Sequence, residues 1–226
     1  MKILAIDTAA ALCAACVLDT QTDEMLGRHV LDLGKGHAEH VMSVIEGALQ
    51  AAGLGYDALG AVAVSVGPGS FTGVRVGVSA ARGLALALKV PAIGISTLEA
   101  LGAEARDTLP GRTVLVALGQ RAPSLFAAGF DSEGRVLLEP QSQSAQWLAG
   151  WASIENAVVY GVAAELVAEA GSPALDIQTA GATADILTFA RLAATKEGSG
   201  EPPKPLYLRA PDAAPQQNFA LPRRER

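Results

Sequence analysis

Residues 61–66 read Ala-Val-Ala-Val-Ser-Val and run straight into Gly67-Pro68-Gly69-Ser70. Six small or β-branched residues without a charge describe a strand buried on both faces, and the glycine turn ends it abruptly. A helix is expected from about Thr72 to Lys89, and Val90–Ile95 reads as the next strand. Strand, crossover helix and strand in that order demand helices packed on a sheet, so the chain is confined to an α/β architecture.

The flanking segments extend the pattern. Lys2–Ile6 and Ala11–Leu18 read as short apolar strands, with Asp19-Thr20-Gln21-Thr22-Asp23 as a polar turn before a third strand at Met25–Leu33. After Gly34-Lys35-Gly36, residues Val41, Ile45, Ala48, Leu49 and Ala52 recur at helical spacing opposite Glu39, Ser43, Glu46 and Gln50, which predicts a helix over His37–Ala52. A further helix is expected near Thr97–Ala105. A meander followed by crossover units suggests a ribonuclease-H-like half over 1–106. Pro110-Gly111 marks the boundary. Over 107–226 the strands Thr113–Leu118, Leu125–Phe130, Arg135–Leu138 and Val158–Gly161, with helices near Ala163–Ala170 and Asp185–Lys196, repeat the scheme more weakly. A Pro-rich stretch follows from Gly198, with Pro202, Pro203, Pro205, Pro211 and Pro215, and the chain ends Arg223-Arg224-Glu225-Arg226. The late helix has the option of packing back on the first half.

Composition narrows the function. Half of the 226 residues are hydrophobic, enough for a core, whereas 17 basic against 23 acidic residues leave a net charge of −6. A chain that grips nucleic acid alone usually carries a basic surplus, and 4% aromatics argues against a base-stacking surface. The first residues resemble a signal peptide, but Asp7 interrupts the apolar stretch, where a carboxylate in a membrane centre costs about 2.5–3.5 kcal/mol. The expectation is a cytoplasmic protein without a membrane partner. Cys13 and Cys16 fall inside a strand, where i and i+3 side chains face opposite sides, so two buried thiols are expected rather than a zinc site with His37 and His40.

Three features carry candidate chemistry. The Gly67–Ser70 turn at a helix start has the form of an anion cradle, though neither a Walker loop nor a dinucleotide fingerprint; the alternative is a tight turn with Ser70 or Thr72 as N-cap. Asp7-Thr8 ends the first strand, so Asp7, Thr8, Gly67, Gly69 and Ser70 form a candidate nucleotide or phosphate set. Gly73, Gly77 and Ala81, with Ala80 beside them, make a small-residue stripe at i+4 steps. That stripe packs either on the chain's own sheet or against another subunit's helices. Taken as an interface, it predicts that Gly77→Leu breaks an assembly and spares the fold.

The run GPGSFTGVRVGVSAARGLA over 67–85, with Asp7-Thr8, His37-x-Glu39, Val90-Pro91, Ser96-Thr97-Leu98-Glu99-Ala100-Leu101 and Pro205-Leu206-Tyr207-Leu208-Arg209, resembles the TsaB (YeaZ) family. The match covers most of 1–101 and is weaker beyond. The family often has Asp-Ala-Arg where this chain has Gly119-Gln120-Arg121. The resemblance implies an α/β fold of the actin, hexokinase and Hsp70 type with two ribonuclease-H-like halves. It implies a non-catalytic role in forming N6-threonylcarbamoyladenosine beside the anticodon of tRNAs reading codons that begin with adenine. The implied partners are a TsaD-type transferase and a TsaE-type ATPase, with tRNA met through the complex, a homodimer when the partner is absent, no intrinsic cofactor, and ATP or ADP in the complex.

By the same resemblance, the partner interface draws on Val41, Ile45, Leu49, Gly73, Val76, Gly77, Ala80 and Ala81. The TsaD-type metal sequence H-x-E-x-H corresponds to Thr97-Leu98-Glu99-Ala100-Leu101, where both imidazole positions hold non-ligands. An ATP-dependent phosphotransferase or hydrolase of the same fold is the competing expectation, motivated by Asp7 and the Gly67–Gly69 turn. A metallopeptidase-like protein is a third.

Overall fold

A computed structural model describes residues 1–119, 124–171, 174–196 and 201–209. Residues 120 and 121, Gly198, Pro211, Pro215 and the terminal Arg223–Arg226 fall outside them, so the expectations placed there have no structural counterpart.

The first sheet opens with the antiparallel meander β1 (Lys2–Asp7), β2 (Leu12–Asp19) and β3 (Glu24–Asp32). Helix α1 (His37–Ala52) leads through a 3-10 turn at Tyr56–Ala58 to β4 (Ala61–Ser65), and α2 (Phe71–Leu88) leads to β5 (Ala92–Ile95). The strand order is β3-β2-β1-β4-β5, with β4 parallel to β1 and β5 parallel to β4. Ile3 pairs with Ala61 and Ile6 with Val64, while Asp7 lies opposite Ala14.

Helix α3 (Thr97–Thr108) follows, three residues longer than the sequence pattern suggests, so the link to the second half is 109–113. The second sheet repeats the first. Its meander is β6 (Val114–Leu118), β7 (Leu125–Phe130) and β8 (Val136–Gln143); α4 (Ala145–Ile154), β9 (Val158–Tyr160), α5 (Ala164–Glu169), β10 (Ile177–Gln178) and α6 (Ile186–Thr195) complete it. Its order, β10-β9-β6-β7-β8, is the same arrangement read from the other edge.

Period-two alternation sorts the side chains of the central strand. Leu4 and Ile6 join Val41, Ile45 and Leu49 of α1 and Val74 and Val78 of α2 in one core. Ile3 and Ala5 face the other way, into a core with Leu98 and Leu101 of α3, Phe189 and Ala190 of α6, and Val114, Val116 and Phe130 of the second sheet. Burying Leu, Ile or Phe side chains of this kind stabilises by about 1.5–3 kcal/mol each.

The two halves therefore share a middle layer. Helix α6 packs chiefly on the first sheet, and α3 reaches the second, where Gly102 lies so close to Phe130 that a Cβ would sit 2.7 Å from its ring. Arg28 to Asp185 at 2.8 Å and Arg191 to Asp23 at 2.8 Å tie the start and flank of α6 to the β2–β3 hairpin. Among the described residues, α2 is long and apolar enough to cross a membrane by length and composition; here one of its faces lies on the sheet.

Candidate functional site

The ends of β1 and β4 meet the start of α2 in one tight joint. Ala9 N–H donates to Asp7 Oδ1 at 2.9 Å, and Thr183 Oγ1, just before α6, donates to Asp7 Oδ2 at 2.6 Å. Asp7 is 1% exposed. Burial raises its pKa above the ordinary carboxylate range, against the opposing pull of Ser65, Thr183, the Ala9 N–H and His37. Ser65 is close enough to favour the charge, yet its hydroxyl makes no hydrogen bond of standard geometry.

The glycine turn is spent on the chain itself. Ser70 N–H donates to Ala9 O at 2.7 Å, and Ser70 Oγ accepts from Gly73 N–H at 3.2 Å as the N-cap of α2. Gly67, at φ 89°, accepts from Thr97 N–H at 2.8 Å, and a Cβ on Gly69 would lie 2.3 Å from Ala9 O. Asp7, Thr8, Gly67, Gly69 and Ser70 do come together. They do so as a packing joint in which two amides of the supposed anion cradle, Ser70 N–H and Gly73 N–H, already have internal acceptors. The geometry matches the tight capped turn, not the cradle.

The small-residue stripe faces the same joint. A Cβ at Gly73 would lie 2.0 Å from Thr8 O, and one at Gly77 would lie 2.4 Å from Thr8 Oγ1. Thr8 Oγ1 donates to Gly73 O at 2.7 Å, and Ala81 is buried in the first-sheet core. Val41, Ile45 and Leu49 are core residues too. The expected interface is corrected accordingly: Ile45, Leu49, Gly73, Gly77 and Ala81 turn inward, because the apolar stripe of each helix is the one the sheet needs, while Val41 is both a core residue and part of the surface groove between α1 and α2. Gly77→Leu would strike the chain's own strand end.

Val76 and Ala80 are half-buried, packed against the edge of the first-sheet core and still reaching the groove. With Ala38, Met42, Phe71 and Arg75 they line a groove of about 520 Å³ between α1 and α2, in which Met42 is 43% and Phe71 52% exposed. At its rim the Arg75 guanidinium lies 3.7 Å from the centre of the Phe71 ring and donates from Nε to Tyr207 Oη at 2.8 Å. Tyr207 belongs to a strap over 201–209. Leu206 N–H donates to Val66 O at 2.8 Å, Pro203 packs against Gly94, and Arg209 hydrogen-bonds Ser124 and lies over Phe126. Sequence reasoning found both motifs and missed that they touch; residues 75 and 207 carry no shared local signal.

Thr97 and Leu101 are fully buried in the shared core, and Glu99 pairs with Lys196 at 2.8 Å. Cys13 and Cys16 lie in different cores on opposite faces of β2. Burial pushes the Cys13 thiol to about 11 and the Cys16 thiol to about 12, with nearby Asp7 and Asp185 adding to the respective shifts. His37 contacts Leu12 O at 3.2 Å, and no cluster of three His, Cys, Asp or Glu occurs among the described residues.

Two sheets of one strand order, packed through α3 and α6, define an α/β protein of the actin, hexokinase and Hsp70 type with two ribonuclease-H-like halves. Residues 31–129 match the model of the family described as TsaD: tRNA N6-adenosine threonylcarbamoyltransferase. The tRNA threonylcarbamoyladenosine biosynthesis protein TsaB of Escherichia coli K12 is 32% identical over 133 residues, 59% of this chain and 56% of that protein. The chain spans about half the length of the curated relatives it matches. A solved Pseudomonas aeruginosa protein, described as uncharacterized with similarity to peptidase YEAZ, superposes with TM-score 0.77 at 26% identity, covering 92% of this chain and 99% of that one. YeaZ from the same organism shares the fold at TM-score 0.72 and 23% identity, over 85% and 90% of the two chains. The chain is thus similar to TsaB proteins in sequence and to YeaZ structures in fold.

Proposed function

We propose that this chain serves the formation of N6-threonylcarbamoyladenosine in tRNAs reading codons that begin with adenine, as a non-catalytic subunit in the cytoplasm. It binds a TsaD-type transferase, and a TsaE-type ATPase joins them. It meets tRNA through the complex and pairs with itself when the transferase is absent. The observation that carries this reading is the fate of the transferase-like segment. Residues 31–129 match the transferase family's model, and the positions that the sequence resemblance sets against its metal ligands, Thr97 and Leu101, are both sealed in the core. A buried hydroxyl and a leucine supply no usable ligand. The capped turn and the enclosed Asp7 likewise favour a scaffold, with any ATP or ADP held elsewhere in the complex.

The test is reconstitution of the modification from purified components, with this chain present or omitted and threonine incorporation into tRNA as readout. Incorporation that needs this chain and tolerates Asp7→Asn supports the reading. Equal incorporation without the chain, or turnover of ATP by the isolated chain that is lost in Asp7→Asn, overturns it.

A further inference from the structure

We propose that Arg75 takes a carboxylate from a partner helix seated in the α1–α2 groove, and that Tyr207 is the positioning residue that holds Arg75 ready for it. The inference rests on the partner-subunit reading above and specifies the chemistry of its contact. Among the residues lining the groove, Arg75 alone carries a charge; the rest are apolar or small, apart from the hydroxyls of Thr72 and Ser79. No carboxylate pairs with Arg75 among the described residues, although the chain is acidic overall.

A guanidinium presents five N–H donors in one plane. Here Nε is committed to Tyr207 and one face rests on Phe71, with the Tyr207 ring centre 5.6 Å away. That leaves the Nη edge, the edge that receives a carboxylate in a fork. The strap makes the arrangement stiff, because Tyr207 is flanked by the Leu206–Val66 hydrogen bond and by the Arg209 anchor on Ser124. Preorganised donors bind more tightly because less side-chain freedom is lost on contact. A single cation in an apolar groove suits an amphipathic helix with one acidic residue; gripping an RNA backbone takes several cations in series.

The experiment is a double-mutant cycle on the full chain, with affinity for the purified transferase partner measured by calorimetry at low and high salt. Tyr207→Phe is expected to weaken binding about three- to tenfold and Arg75→Gln about tenfold or more, the latter also flattening the salt dependence. The double variant is expected to bind no worse than Arg75→Gln alone, since Tyr207 acts only through Arg75. Additive losses, an unchanged Tyr207→Phe, or an effect confined to tRNA binding overturns the proposal. Should Tyr207→Phe fail to fold, Arg75→Lys decides: it keeps the charge and loses the planar fork, so wild-type affinity overturns the proposal. Absence of binding by the wild-type chain overturns the partner reading as well, which separates the two failures.

Discussion

Gly73→Ala tests a close approach of two backbone segments. The added methyl would sit 2.0 Å from Thr8 O, and Thr8 Oγ1 donates at 2.7 Å to the carbonyl of the residue being changed. A backbone oxygen does not swing aside as a side chain does, so α2 and the end of β1 must separate by about an ångström in a core packed at crystal density. Overpacking of this kind costs about 1–3 kcal/mol. Weakening the buried hydrogen bond adds about 1 kcal/mol. Replacing glycine inside a helix returns about 0.5–1 kcal/mol. The net expectation is a loss of about 1–3 kcal/mol, which for a chain of this size lowers Tm by roughly 3–10 °C. Gly83→Ala in the same helix is the control, because its Cβ meets nothing within 4 Å. Only the propensity gain operates there, so Tm should rise by roughly 1–4 °C. Thermal and urea unfolding of both variants would decide it. Equal stabilisation of the two would refute the inward orientation of the stripe.

Asp7 and the cysteines provide two further tests. Burial raises the folded-state pKa of Asp7, so its contribution favours the fold below the unfolded-state pKa and is lost as pH rises through the folded value. Asp7→Asn retains an acceptor for Ala9 N–H and avoids the buried charge. It should therefore exceed wild-type stability at neutral pH, with the gap closing on acidification, as measured by Tm between about pH 4 and pH 8. A gap that widens in acid would contradict this. Cys13 and Cys16, both at 0% exposure with thiols raised to about 11 and about 12, should resist a maleimide in the native chain and both label once urea unfolds it. Rapid native labelling would show that the strand between the two cores opens readily.

Where sequence reading fell short, the cause is physical. Helix α4 escaped notice because Gly150 interrupts it and apolar residues lie all round: Leu148, Ala149 and Ala152 are buried while Trp147 and Ile154 are exposed. No single stripe marks its period. Strand β8 continues to Gln143 past Pro140, which an edge strand tolerates because no neighbour needs that N–H. The Gly67–Gly73 segment was visible as unusual, but an anion cradle and a capped turn use the same glycines. They differ in whether an acceptor such as Ala9 O already occupies the amides.

Local order was legible from the chain alone: the meander, the crossover units, the repeated half and the α1 and α2 spans all follow from periodicity, turn residues and side-chain chemistry, whereas the reading of Thr97 and Leu101 as replaced ligands came from the family resemblance. The tertiary structure decided what each face meets. Periodicity establishes that α2 has a small-residue face; only the position of Thr8, on another element, turns that face inward. Asp7 meets Thr183 across 176 residues and Arg75 meets Tyr207 across 132. Contacts at that separation are set by how whole elements pack, and no local pattern of residues encodes them.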